Sequence, residues 1–299
     1  MIEISKISKR FADITALSEV TAQIDNGSIF GLVGTNGAGK STLLRILSGI
    51  YRQDSGQVWI DGQTVYENTN LKQSIFYISD DQYYFYNSSM EDMKRYYQCV
   101  YHSFSADIYN RLLKVFRLDE KRKINTFSKG MARQAFIIFG LASRPRYLFC
   151  DETFDGLDPV MRQAVKRLIA DSVAEHQMTP IIASHNLREL EDICDHVGLL
   201  HQGGIVFDMD IDTLQAGIHK VQCAFETEKS GADFNDLKML SFTRRGRLCT
   251  MVVRGDQSAI MAEIDRQRPQ FCEAIPLSLE EIFIAEMEVI GYEVSKIIL

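Results

Sequence analysis

Short apolar runs alternate with helical periodicities along most of the chain. Ile29–Val33 leads through a glycine-rich stretch into a helical pattern, and Tyr147–Cys150 and Pro180–Ser184 are apolar runs of similar length. Runs this short, separated by helical patterns, are typical of buried strands connected by helices. The pattern predicts an α/β fold whose sheet has a parallel or mixed core.

Residues 1–27 follow a different period, because their apolar side chains are separated largely by polar ones. This alternation predicts strands, and Gln57–Ile60 is a further strand that ends at a hairpin signal, Asp61-Gly62. Ser74–Ser79 is predicted as a strand as well. The predicted helices are 88–101 with a capping box at Ser88–Glu91, 105–116 capped by Ser105, 127–143, 159–176 and 186–194.

The segment from about Leu214 onwards has a pattern of its own. It predicts strands at Val221–Thr227 and Gln270–Ile275, and a run over Met239–Val253 that is broken into a hairpin at Arg245-Gly246. It also predicts a helix from Asp256 and a last helix after a capping box at Ser278–Glu281. We therefore expect residues 215–299 to form a small α+β accessory domain. This segment contains no cluster of His, Cys or paired carboxylates that would indicate a site.

The segment from Tyr83 to Tyr109 contains seven of the twelve tyrosines. One interpretation is that they form the core and surface of a small helical subdomain. The other is that they form a docking surface for a partner helix, since tyrosine is enriched at interfaces. The sequence leaves both interpretations open.

The 299 residues have a formal charge of −7, with acidic and basic residues mixed along the chain. This balance argues against nucleic-acid binding through a basic surface. The six cysteines are widely scattered and are expected to be buried in a reducing compartment; disulfides or a zinc site are the alternatives. No stretch approaches the roughly 20 apolar residues that a membrane span needs, so a membrane location would depend on another chain.

Residues 34–41 have the spacing G-x-x-x-x-G-K-S between a predicted strand and a predicted helix. Glycines let backbone N–H groups converge on phosphate oxygens, and the helix N-terminus adds a partial positive charge. Lys40 is expected to reach the β- and γ-phosphates, and the Ser41 hydroxyl to bind Mg²⁺. The predicted nucleotide contacts in this loop are Gly34, Asn36, Gly37, Gly39, Lys40, Ser41 and Thr42.

A phosphate loop needs a second acidic anchor for Mg²⁺, and such residues lie at strand ends. Asp151 follows the apolar run Tyr147–Cys150 and is the predicted anchor. Glu152 is placed to accept a proton from an attacking water, which predicts hydrolysis rather than nucleotide binding alone.

These motifs together resemble the ATP-binding subunits of ABC transporters over essentially all of residues 1–214. The resemblance rests on 34–41, Phe127–Met131, Asp151-Glu152, Gly156–Asp158 and His185. It implies a P-loop NTPase ABC cassette with a RecA-like α/β core, an antiparallel β subdomain and a helical subdomain at about 83–143.

Phe127–Met131 matches the family signature, whose usual form is Leu-Ser-Gly-Gly-Gln. In that family the segment binds the γ-phosphate of ATP held by the opposite subunit, so the resemblance implies a head-to-tail dimer. Ser128 and Gly130 keep the phosphate-contacting positions. Lys129 and Met131 depart from the usual form, as in stand-alone subunits of ABC-2-type exporters.

The resemblance also assigns single residues. Phe11 matches the aromatic that stacks on adenine, with a core phenylalanine as the alternative. Asp158 matches the acid of the loop that crosses the dimer interface, and His185 matches the histidine that senses the γ-phosphate. In the family, a residue in the loop between the sheet and the helical subdomain approaches the metal. Spacing favours Asp80 for this position, and Gln82 is the alternative.

The resemblance implies an ATPase that uses ATP and Mg²⁺, pairs with an identical or different second ATP-binding subunit, and drives a membrane permease at the cytoplasmic face of the membrane. The exporter direction follows from the resemblance alone. An ABC protein acting on ribosomes or DNA is the alternative, but it is disfavoured by the single phosphate loop, the absence of heptad repeats and the negative charge. A nucleotide kinase would leave the signature unexplained.

Overall fold

The computed structural model describes residues 1–289, with side chains for 1–214 and 216–286. It contains two compact units, one from Met1 to Asp208 and one that begins at Met209, ahead of the boundary expected after residue 214. None of the described helices is long and apolar enough to cross a membrane.

Among the described residues, the first unit contains seven α-helices and ten strands, the last of which extends two residues past Asp208. The strands are β1 Ile2–Phe11, β2 Ile14–Ile24, β3 Phe30–Val33, β4 Ser55–Ile60, β5 Gln63–Thr64, β6 Ile75–Ile78, β7 Tyr147–Asp151, β8 Thr179–Ser184, β9 His196–His201 and β10 Gly204–Asp210. The helices are α1 Lys40–Leu47, α2 Thr69–Lys72, α3 Met90–Val100, α4 Ala106–Phe116, α5 Lys129–Ala142, α6 Pro159–His176 and α7 Leu187–Glu191.

A six-stranded sheet in the order β10-β9-β3-β8-β7-β6 forms the centre of this unit. Its neighbours from β9 to β6 pair in parallel. Every residue of β3, β7 and β8 is buried, as expected for parallel strands covered on both faces. The predicted α/β fold, whose sheet has a parallel or mixed core, is confirmed.

A second, antiparallel sheet has the order β2-β1-β4-β5. Its alternating apolar residues and α1 share one hydrophobic core with the central sheet. The strand predictions for residues 1–27 and 57–60 are confirmed because one face of this sheet is buried and the other is exposed.

Two helix predictions need correction. The capping box of α3 is formed by Ser89 and Asp92, not by Ser88 and Glu91, because Ser89 takes the extended cap conformation and exchanges hydrogen bonds with Asp92. Helix α7 ends at Glu191, short of the predicted Cys194, whose buried thiol packs beside Gly31 of β3. The cap at Ser105 and the bounds of α6 agree with prediction, whereas the helix predicted over 127–143 begins at Lys129, because Ser128 is its extended N-cap.

The second unit contains a four-stranded antiparallel sheet in the order β12-β13-β11-β14. Its strands are β11 Ile218–Ala224, β12 Lys238–Arg245, β13 Leu248–Arg254 and β14 Phe271–Ile275, and its helices are α8 Ile211–Gly217, α9 Gln257–Arg266 and α10 Leu279–Val289. The predicted Arg245-Gly246 hairpin, the Asp256 cap and the Ser278–Glu281 capping box are present.

All six cysteines are free thiols. Cys150, Cys194, Cys223 and Cys249 are buried as expected, but Cys99 is exposed on α3 and Cys272 is only partly buried. The general expectation of burial is therefore wrong for these two residues.

Candidate active site

The carboxyl ends of β3, β7 and β8 meet at one edge of the central sheet. The phosphate loop follows β3, Asp151 is the last residue of β7, and His185 follows β8. Because parallel strands end on the same side, three segments distant in sequence bring their polar residues to one place. This edge therefore holds the phosphate loop together with Asp151, Glu152 and His185.

The phosphate loop needs glycine at two close approaches of the backbone. A Cβ added at Gly34 would lie 2.4 Å from the Leu200 carbonyl oxygen, and one at Gly39 would lie 2.4 Å from the Ala16 carbonyl oxygen. Gly39 also has a φ of 109°, which disfavours any side chain. Helix α1 begins at the next residue, so its N-terminal N–H groups point into the loop. Asn36 and Gly37 are exposed at the loop tip, and Thr42 lies in the first turn of α1.

Lys40 is 94 % buried; its ammonium donates to the Gly34 carbonyl oxygen at 2.7 Å and lies 3.3 Å from Oε1 of Glu152. These contacts hold its positive charge within the loop. A bound phosphate would give the same ammonium a further anionic partner.

Asp151 is fully buried, and a hydroxyl binds each of its carboxylate oxygens. Ser41 Oγ donates to Oδ1 at 2.9 Å, and the Tyr77 hydroxyl donates to Oδ2 at 2.8 Å. Burial raises the pKa of Asp151 above its ordinary value, while the bonds from Tyr77 and Ser41 oppose that rise. Burial and the charge of Asp151 raise the pKa of Tyr77, so its phenol stays protonated and acts as the donor.

Glu152 lies between the phosphate loop and His185. Its Oε2 is 2.9 Å from Nδ1 of His185 and accepts a hydrogen bond from the backbone N–H of that residue, while Oε1 faces Lys40. Glu152 itself has a φ of 48°, a conformation uncommon for residues other than glycine. The structure therefore brings Lys40, Glu152 and His185 together as the sequence predicted.

A second polar network supports the loop that carries His185. Ser184 Oγ donates to Oε2 of the buried Glu189 at 3.1 Å, and Arg162 of α6 lies 3.1 Å from Oε1. Burial raises the pKa of Glu189, and the positive charge of Arg162 opposes that rise. No local sequence pattern indicates this network, because its members come from three separate elements.

Asp80 pairs with Arg133 rather than with Ser41 and Asp151, the residues beside which the family resemblance predicted it as a metal ligand. Its carboxylate accepts a hydrogen bond at 2.8 Å from the fully buried guanidinium of Arg133 on α5. Arg133 Nη1 also approaches the carbonyl oxygens of Ser79 and Asp80, and Gln82 Nε2 donates to the Ser79 carbonyl oxygen at 3.1 Å. Tyr77, not Asp80, is the residue of this segment that contacts Asp151.

The signature and interface residues make their contacts away from the phosphate loop. Ser128 caps α5 by accepting from the N–H of Met131, and Asp158 caps α6 by accepting from the N–H groups of Val160 and Met161. A Cβ at Gly130 would lie 2.8 Å from the Gly156 carbonyl oxygen. This close approach requires glycine in the signature segment.

Phe11 ends β1 with 39 % of its surface exposed. Its ring meets the edge of Tyr51 at a centroid distance of 5.4 Å. This exposure rules out the core position that was the alternative interpretation, and it leaves ring surface available for stacking.

Ser41 and Asp151 supply a hydroxyl and a buried carboxylate only 2.9 Å apart. Mg²⁺ binds oxygen ligands of this kind in proteins. It usually needs only one or two of them, because phosphate and water oxygens complete its coordination. The residues at this edge of the sheet therefore fit the metal that the motif implies.

Comparison with known proteins decides the family. The ABC transporter family profile matches residues 17–155. The lantibiotic transport ATP-binding protein SrtF of Streptococcus pyogenes is 32 % identical over 71 % of this chain and 92 % of its own length. The chain belongs to the ABC transporter ATP-binding family. The ABC transporter ATP-binding protein YtrB of Bacillus subtilis is 29 % identical over 96 % of this chain and 98 % of its own length.

Solved structures of ABC cassettes share the fold. A structure described as the ATP-binding subunit of an ABC transporter superposes with a TM-score of 0.66 at 26 % identity, covering 72 % of this chain and 92 % of that one. The cassette MJ0796, solved with ADP and Pi after hydrolysis, superposes with a TM-score of 0.64 over 71 % of this chain and 99 % of that one, at 20 % identity. Like other members of the family, this ABC subunit binds ATP and is an ATPase.

Proposed function

We propose that this chain is the ATP-hydrolysing motor of an ABC exporter that works as a head-to-tail dimer on a separate membrane permease. The observation that carries the hydrolytic part is the position of the Glu152 carboxylate, which faces Lys40 on one side and His185 on the other. The exporter direction is supported by relatives named for transport of lantibiotics and bacitracin. Import subunits for methionine match this chain at similar identity, so the direction rests on the experiment below.

In this proposal Glu152 is the general base that takes a proton from the attacking water. A base must hold a fixed orientation within hydrogen-bonding reach of that proton. His185 Nδ1, 2.9 Å from Oε2, supplies such a constraint. The ammonium of Lys40 is placed to neutralise charge on the β- and γ-phosphates, and Phe11 offers a ring surface for adenine.

Ser41 and Asp151 are the residues that would hold Mg²⁺, which supplies charge neutralisation at the phosphates when bound. Asp80 is not proposed as a metal ligand, because its carboxylate is paired with Arg133.

The dimer is proposed because Ser128 and Gly130 lie at the N-terminus of the fourteen-residue helix α5. An N-terminus of this kind favours a phosphate, and the missing side chain of Gly130 allows close backbone approach. A second subunit, identical or different, would offer its ATP to this segment, and Asp158 would lie in the loop that crosses the interface.

The permease is proposed to dock in a groove of about 600 Å³ whose lining includes β6, α3 and Phe136 of α5. Tyr97, Tyr101 and Tyr109 make ring contacts with the buried Phe76 or Phe139. In contrast, Tyr86 is 95 % exposed and Tyr83 is also exposed. The tyrosine-rich segment thus contributes both to a core and to an exposed aromatic surface. The aromatic lining suits a partner helix, which would hold the motor at the cytoplasmic face of the membrane.

Isolation of the tagged chain from membranes tests this proposal. We expect a multispanning permease to co-purify, and vesicles containing the complex to move cargo away from the ATP-containing side. Uptake toward that side would overturn the exporter direction. A salt-sensitive association with ribosomes, without a membrane partner, would overturn the transporter function.

A further inference from the structure

We propose that Tyr77 is a positioning residue that orients the Asp151 carboxylate for Mg²⁺. The proposal rests on the assignment of Asp151 as the metal anchor in the proposed function. It adds a residue that lies outside the phosphate loop and outside the other motifs identified from the sequence.

The pairing of two strands places Tyr77 beside Asp151. In the parallel pair β6 and β7, Tyr77 is in register with Phe149, two residues before Asp151. Since side chains alternate across a strand, Tyr77 and Asp151 project from the same face of the sheet. The phenol thereby reaches Oδ2 at 2.8 Å.

Each oxygen of the Asp151 carboxylate accepts a hydrogen bond from a different hydroxyl. Ser41 binds Oδ1 and Tyr77 binds Oδ2, so rotation of the carboxylate would break a hydrogen bond at each oxygen. Ser41 is itself a proposed metal ligand. Tyr77 is therefore the partner that can hold the carboxylate while Ser41 binds the metal.

Burial makes the bond from Tyr77 hard to replace. The side chain of Asp151 has no solvent exposure, so water cannot readily take the place of a lost donor. A buried carboxylate that loses a hydrogen bond is destabilised and free to turn. Carboxylates that bind metals are commonly fixed by such outer partners, and loss of one lowers metal affinity by about 10-fold to 100-fold.

The position of the Tyr77 ring is itself constrained. The ring lines the same groove as Arg45, whose guanidinium lies 5.7 Å from the ring centroid of Tyr51. The residue also belongs to strand β6, whose parallel pairing with β7 fixes the position of the Tyr77 backbone relative to Asp151. The strand pairing therefore keeps the phenol within hydrogen-bonding distance of the carboxylate.

The test compares Tyr77→Phe with Tyr147→Phe in the full chain. Tyr147 is a matched control because it lies on the same strand as Asp151 and its hydroxyl bonds to an aspartate, Asp61, at 2.9 Å. Calorimetric titrations measure ATP affinity over a range of Mg²⁺ concentrations and in EDTA. We expect Tyr77→Phe to raise the Mg²⁺ concentration for half-maximal enhancement of ATP binding by about 10-fold to 100-fold, with unchanged affinity in EDTA.

An unchanged Mg²⁺ requirement in Tyr77→Phe would overturn the inference, and so would an equal loss of ATP affinity in EDTA. Tyr147→Phe should retain the wild-type Mg²⁺ requirement; the same shift in both variants would also contradict a specific role for Tyr77. Asp151→Asn separates this inference from the proposed function. If Asp151→Asn leaves the Mg²⁺ requirement unchanged, the metal-anchor assignment itself fails; if only Tyr77→Phe behaves as wild type, the inference alone fails.

Discussion

The two units of the chain differ in what they bury. The first unit buries charged side chains inside its core region, among them Lys40, Arg133, Asp151 and Glu189. The core of the second unit, as far as side chains are described, consists of aliphatic, aromatic and sulfur-containing residues, and its one buried charge, Glu286, is paired with Arg254.

A buried charge is costly unless it is paired and hydrogen-bonded. In the first unit, such partners are present for Lys40, Arg133, Asp151 and Glu189. Buried charged groups that lie together with hydrogen-bonding partners are candidates for a functional site. The buried charges therefore indicate a functional site in the first unit, whereas the described core of the second unit stabilises its fold. In the second unit Cys223 lies opposite both Cys249 and Cys272 across the sheet and packs as a small apolar residue.

The largest effect is expected at Glu152. Glu152→Gln should lower ATP turnover by about 100-fold to 10,000-fold, because a general base contributes on that order, while ATP binding persists. Phosphate release and nucleotide titration measure the two properties, and gel filtration should show an ATP-dependent dimer. Glu175→Gln, at an exposed position on α6, is the control and should leave turnover unchanged. Normal turnover in Glu152→Gln would contradict the assignment of the base.

A core substitution in the second unit should lower stability and leave nucleotide binding unchanged. Met251→Ala removes a fully buried side chain and should lower the free energy of unfolding of this unit by about 2–5 kcal/mol, without changing ATP affinity. Denaturant unfolding and nucleotide titration test this. Leu248→Ala, at an exposed position on the same strand, should cost less than about 0.5 kcal/mol. A folded Met251→Ala protein with weakened ATP binding would break the contrast between the units.

The smallest effect is expected at Asp158, where a structural role and a proposed functional role coincide. Asp158→Ala removes the N-cap of α6 and should cost about 0.5–2 kcal/mol of stability, whereas Asp158→Asn keeps the cap. If Asp158 also acts at the dimer interface, Asp158→Asn should lower ATPase activity at wild-type stability. Wild-type activity in Asp158→Asn would limit this residue to capping.

Local patterns predicted much of the fold, since caps, turns and strand periods depend on neighbouring residues. The bounds of α6, the Ser105 cap and the Arg245-Gly246 hairpin are examples. The capping box at α3 was displaced by one residue because two adjacent serines, Ser88 and Ser89, each precede an acid by three positions, and the sequence does not show which serine takes the extended conformation.

The sequence by itself determined the phosphate loop and the strand end that carries Asp151 and Glu152, because the spacing of these residues follows from the chemistry of phosphate binding. His185 was added by the family resemblance. Only the tertiary structure decided that Tyr77 binds Asp151 and that Asp80 binds Arg133. The first contact depends on the register of β6 against β7, and the second on where α5 lies against the loop after β6. Both are set by packing between segments far apart in the chain, which no local pattern of residues records.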